Sequence, residues 1–136
     1  MRKIEKYFLP ALLMLFLSMI AAGNASAQRD GTPKKRLAIP ATARGFIGGE
    51  AHDSYVVRAR RGRTLVVEIS WRKDGDNRAE FTVSRGTNFY NASAVRFGRT
   101  TNGGKRWTGK IAQTGNYYIY VVGYPTARYT LRVRYR

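Results

Sequence analysis

The end of the chain alternates with a period of two. Tyr129, Leu131, Val133 and Tyr135 fall on one side, and Arg128, Thr130, Arg132, Arg134 and Arg136 on the other. A β-strand points successive side chains to opposite faces, so this segment is a strand with one apolar and one cationic face. Its register is tightly specified, because a slip of one residue would drive four arginines into the core. Just before it, Tyr117, Ile119 and Val121 alternate with Tyr118, Tyr120 and Val122, and a turn follows at Gly123, Tyr124, Pro125 and Thr126. The two segments are expected to pair.

Other strands read the same way. In residues 64–71, Leu65, Val67, Ile69 and Trp71 share one face, with Val66, Glu68 and Ser70 opposite. A strand at 54–59 precedes it, joined by Arg60, Arg61, Gly62 and Arg63, in which Gly62 supplies the left-handed backbone that a hairpin needs. A third run, 79–84, points Ala79, Phe81 and Val83 inward, and a short strand is expected at 95–98. Asn102, Gly103 and Gly104 turn the chain into 105–111, where Trp107 is the buried anchor. No helical periodicity appears, and turn signals recur every ten or so residues. The expected fold is all-β: a single antiparallel β-sandwich, jelly-roll-like, of about eight strands over 41–136.

Residues 1–27 read as a cleaved signal peptide: Arg2, Lys3 and Lys6, an apolar run from Phe8 to Ala22, then Ala25, Ser26 and Ala27 as a small-residue cleavage site. The location implied is periplasmic or secreted. Three of the 25 Lys and Arg and one of the eight acids lie in this segment, which leaves 22 against 7, a charge of +15 on the mature chain. Residues 28–40, with Lys34, Lys35 and Arg36, read as a basic flexible leader. The chain has no cysteine, so an exported domain of this size must hold together by packing alone.

Convergent titratable groups are scarce. His52 is the only histidine, so a nucleophile–base arrangement would have to be built around it alone. Glu50, His52 and Asp53 lie within four positions of one loop and read as a solvated turn, because metal sites recruit ligands from separated segments. Asp74, Gly75, Asp76 and Asn77 have the look of a calcium loop, but Glu80 falls too early for the closing ligand, so an ordinary turn is the better account. No catalytic residue, metal or cofactor is expected, which leaves a binding module or a passive accessory domain.

Cations and aromatic rings carry more information. With the last two strands paired, Tyr118 and Tyr120 would share an outward face with Arg132 and Arg134, and Arg58 and Arg60 would extend the cationic surface. Such a stripe stacks on rings and grips anions. For an exported chain the polyanions at hand are lipopolysaccharide, anionic glycans and phospholipid headgroups. Export argues against nucleic acid as the native ligand.

Four stretches resemble a known family: residues 53–65 (DSYVVRARRGRTL), 107–111 (WTGKI), 114–119 (TGNYYI) and 129–133 (YTLRV). Together they are similar to bacterial pre-peptidase C-terminal domains and, within that group, to the periplasmic inhibitors of g-type lysozyme. The resemblance implies a small β-sandwich and a protein partner, a lysozyme-like cell-wall hydrolase blocked by cleft occlusion. In the inhibitors a loop of Ser or Thr, Gly, any residue and Tyr approaches the lysozyme cleft. That pattern falls here on Thr114, Gly115, Asn116 and Tyr117, making Thr114, Asn116 and Tyr117 the implied contacts. The same pattern starts a strand in pre-peptidase domains. The chain departs from the inhibitors in its short turn at 123–126 and in its charge, which calls for an acidic partner surface.

Overall fold

A computed structural model describes residues 31–136; the proposed signal peptide and the start of the leader lie outside the described residues. Nine strands run in order: β1 (Lys34–Leu37), β2 (Ala41–Gly48), β3 (Asp53–Ala59), β4 (Thr64–Trp71), β5 (Arg78–Ser84), β6 (Arg99–Thr101), β7 (Arg106–Lys110), β8 (Gly115–Tyr124) and β9 (Thr126–Tyr135). They form a four-stranded sheet, β1-β3-β8-β5, and a five-stranded sheet, β2-β9-β4-β7-β6. The expected sandwich is present, with one strand more than the sequence suggested. All pairs are antiparallel except β1 with β3.

The alternation in β9 does what its pattern requires. Ala127, Tyr129, Leu131 and Val133 are buried between the sheets, whereas Arg128, Arg132 and Arg134 are exposed. Leu65, Val67 and Ile69 of β4 and Tyr117, Ile119 and Val121 of β8 complete the core with Tyr55, Val57 and Ala59 of β3. Each such fully buried aliphatic side chain contributes about 1.5–3 kcal/mol. Trp107 closes one side in a seat built from glycines. A Cβ at Gly98 (φ +95) or at Gly109 would stand 2.5 Å from its indole.

Four features differ from the sequence expectation. Part of the supposed leader, Lys34–Leu37, is an edge strand running parallel to β3; its charged side chains suit an edge that must not recruit further strands. The segment expected as a strand at 95–98 is irregular, an isolated bridge pairs the preceding Ala94 with Ser84, and the strand falls later, at Arg99–Thr101. Residues 60–63 join strands of different sheets, although Gly62 has the expected left-handed backbone (φ +84). The turn at 123–126 also crosses between sheets, so β8 pairs with β3 and β5 while β9 lies between β2 and β4. The last strand is therefore interior to its sheet and is not an edge free to pair two chains.

Candidate functional site

The crossing of β8 and β9 into separate sheets dismantles the expected stripe. Tyr120 is 2% exposed, donates from its hydroxyl to Gly86 O at 2.6 Å, and packs edge-on against Phe89 and His52. The irregular segment 85–93 thus covers part of the outer face of the four-stranded sheet. Tyr118, half-buried, stacks beside Tyr120. Arg132 and Arg134 lie on the outer face of the other sheet, where Glu68 is the cross-strand neighbour of Arg132 and also binds Arg106. The tyrosine pair and the arginine pair therefore lie on different sheets.

His52 is not in a solvated turn either. It is buried, with its ring stacked on Phe89 at 3.9 Å. Asp53 turns to the other side of its strand and accepts from the Tyr129 hydroxyl, while Glu50 is exposed. Among the described residues no group of three or more His, Cys, Asp or Glu is placed to hold a metal. The Asp74–Asn77 turn is closed by Asn77 itself: Oδ1 accepts from Asp74 N at 2.8 Å and Nδ2 donates to Arg72 O at 2.9 Å.

What the fold does bring together is one end of the sandwich. Residues 60–63 and 111–114 meet there, far apart in sequence. The Gly62 N–H donates to Ile111 O and the Ile111 N–H to Arg63 O, both at 2.9 Å. The Arg61 N–H donates to Thr114 Oγ1, also at 2.9 Å. β9 joins the latch through Arg60 N to Tyr135 Oη at 3.1 Å and Arg136 N to Thr64 O at 2.9 Å. Each loop donates to or accepts from another, so the end is a fixed surface and not a set of independent loops.

Thr114 is exposed at the tip of this surface. Asn116, half-buried, is the cross-strand neighbour of Arg58. Tyr117 differs from its implied contact role: its ring is 1% exposed, its hydroxyl donates to Gln113 O at 2.7 Å, and the Arg85 guanidinium lies over its face at 4.7 Å. Tyr117 therefore braces the loop from beneath, Thr114 is the exposed member of the motif, and Asn116 is half-buried with its Oδ1 buried and unpartnered. The Thr-Gly-x-Tyr spacing accounts for this geometry, since it starts a strand at Gly115 and drops the tyrosine onto its inward face.

Exposed cations crowd the same end: Arg58, Arg60, Arg61, Arg63 and Arg85. Sequence reasoning singled out Arg58 and Arg60 but missed Arg61, Arg63 and Arg85. The RRGR run was the available signal for the first two. Arg85 is brought in only by the tertiary fold.

No protein-family model and no curated protein sequence matches the chain. Solved structures do. The fold is similar to the periplasmic inhibitor of g-type lysozyme from Aeromonas hydrophila, with a TM-score of 0.56 and 23% identity over 76% of this chain and 100% of that one. It is similar to the pre-peptidase C-terminal domain of a collagenase from Bacillus anthracis, with a TM-score of 0.55 and 20% identity over 76% and 96% of the two chains. The inhibitor of g-type lysozyme from Salmonella Typhimurium matches with a TM-score of 0.50 and 18% identity over 75% and 98%. The resemblance in the sequence is thus matched by the shape of the whole sandwich.

Proposed function

We propose that this chain is an exported, non-catalytic binding module that blocks a lysozyme-like cell-wall hydrolase by occluding its cleft. Thr114, in the loop before β8, and Asn116, at the start of that strand's pairing with β3, form the inserted edge, and Arg60, Arg61 and Arg85 flank it. The observation that carries this reading is the latch from Arg61 to Thr114. It holds an exposed loop rigid at the cationic end of a sandwich whose shape is shared with two inhibitors of g-type lysozyme. A pre-organised loop gives up less conformational freedom on binding.

Charge supports the same choice of target. Glycosidases work with paired carboxylates in the cleft, and guanidinium groups form forked, charge-assisted bonds to carboxylates. A surface this basic repels a basic enzyme on approach, so the preferred partner has an acidic cleft. Export to the periplasm, where similar inhibitors reside, belongs to the same proposal.

Hydrogen exchange of the protein with and without an added g-type lysozyme tests the site. Expected is new protection confined to 60–63 and 111–116. Protection confined to the outer face of β9, around Arg128 and Arg132, would contradict it.

A further inference from the structure

Next to the latched loops lies an open cleft of about 510 Å³ that draws on both sheets. Arg58 comes from β3, Arg60 and Arg63 from the β3–β4 connection, and Arg134 and Tyr135 from β9, with Pro40 of the β1–β2 crossover as an apolar wall. Among the described residues no carboxylate lines it. Glu68 reaches Arg134 at 3.9 Å but is engaged by Arg106. Among the described residues, no carboxylate forms an ion pair with Arg58, Arg60 or Arg63.

The cleft is held in shape from behind. Tyr135 Oη accepts from the Arg60 N–H at 3.1 Å, and the Arg63 guanidinium rests on the Tyr135 ring at 4.2 Å. Ring stacking orients the Arg63 fork without using its N–H donors. Four guanidinium groups around one concavity repel one another unless an anion joins them. A single carboxylate brings one charge and two acceptor oxygens, too few for four forks.

We propose that this cleft binds a phosphate monoester, as carried by a sugar phosphate or a lipid headgroup. Such a group has a charge of about −1.5 to −2 at pH 7 and three strong acceptor oxygens, and guanidinium forks match those oxygens in pairs. The cleft shares Arg60 with the surface assigned to the hydrolase, but its phosphate probes read it without any hydrolase present. The second ionisation of the phosphate lies near pH 6, so affinity falls as pH drops through that value.

The test is calorimetric titration of the purified protein with glucose 6-phosphate, glucose 6-sulfate and glucose, and co-sedimentation with phosphatidylcholine vesicles with or without phosphatidic acid. Expected is saturable binding of glucose 6-phosphate, or of phosphatidic acid vesicles, that weakens below pH 6. It should drop roughly tenfold or more in the R60Q/R63Q double variant, the effect of losing a hydrogen bond to a charged group. The R128Q/R132Q double variant, with charges removed from the outer sheet face, should bind within about twofold of the parent. Binding of the soluble sugar alone assigns the phosphate to a glycan; vesicle binding lost in R60Q/R63Q assigns it to a lipid. Equal losses in the two double variants, binding of glucose 6-sulfate as tight as that of the phosphate at every pH, or no binding of either phosphate probe would overturn the proposal. All four substituted arginines are exposed, so unchanged melting temperatures show that each variant is folded.

Discussion

The Arg61 N–H donates to Thr114 Oγ1 at 2.9 Å across 53 residues of sequence, tying the β3–β4 connection to the loop that precedes β8. One hydroxyl thereby couples the most cationic turn of the chain to the exposed tip of its candidate binding loop.

Thr114→Val keeps the shape and removes the acceptor. It should cost about 0.5–1.5 kcal/mol, the net worth of one hydrogen bond, and speed exchange of the Arg61 amide while leaving core amides protected. Unchanged exchange at Arg61 would mean that the latch does not hold the loops in solution.

The interior carries a second link, from Tyr55 Oη to Tyr129 Oη at 2.6 Å, with Tyr129 donating onward to Asp53. Burial, first of all, pushes both phenols above their ordinary 10.0, and for Tyr129 the hydrogen bond to Asp53 adds to it. Since the folded state holds these groups protonated, their contribution is fully present below pH 10 and is lost as pH rises above it, where the unfolded chain ionises and the folded one resists. Stability should fall by up to roughly 1.4 kcal/mol per pH unit for Tyr129 in that range, with Tyr55 adding to the decline in the same direction. Tyr129→Phe should cost about 1–3 kcal/mol at neutral pH by leaving Asp53 and Tyr55 without this partner, and should flatten the alkaline decline. Denaturant unfolding at neutral and alkaline pH measures both.

Trp107 depends on the absence of side chains around it. Gly98→Ala meets the indole at 2.5 Å and places a Cβ on a backbone with φ +95, so it combines strain with overpacking. Gly109→Ala meets the ring at the same distance with no φ in the left-handed range. Each should destabilise by about 1–3 kcal/mol, with the Gly98 change the larger. Melting temperatures of the two variants check the order.

Much of the fold was legible because alternation reports which side of a strand is buried. β4 and β9 were placed with their inward residues identified for that reason. Alternation says nothing about which strand lies alongside, so the pairing of β8 with β9 was wrong and the tyrosine–arginine stripe fell with it. Tyr120 was misjudged because its cover is segment 85–93, whose Phe89 and Tyr90 have no periodicity to reveal them. β1 was missed because Lys34, Lys35 and Arg36 give it no apolar face; an edge strand needs none. At the binding end, the Thr-Gly-x-Tyr spacing located the loop, but that Tyr117 would face inward follows only once β8 is placed in its sheet.

Salt separates rigid-loop recognition from simple charge attraction. Exposed charges are screened over about 10 Å at 0.1 M salt, so binding that depends on Thr114 and Asn116 should persist at high salt with a slower approach rate. Binding driven only by the arginines should vanish. Association and dissociation rates at two salt concentrations distinguish the two.

Occlusion of a hydrolase cleft by the Thr114 end of the sandwich is read from the wall-lysing activity of a g-type lysozyme titrated with the purified protein at high salt, in parallel with the Thr114→Val variant. Activity should be lost at stoichiometric amounts, with the variant a weaker inhibitor. Full activity in a large molar excess of the protein would contradict occlusion.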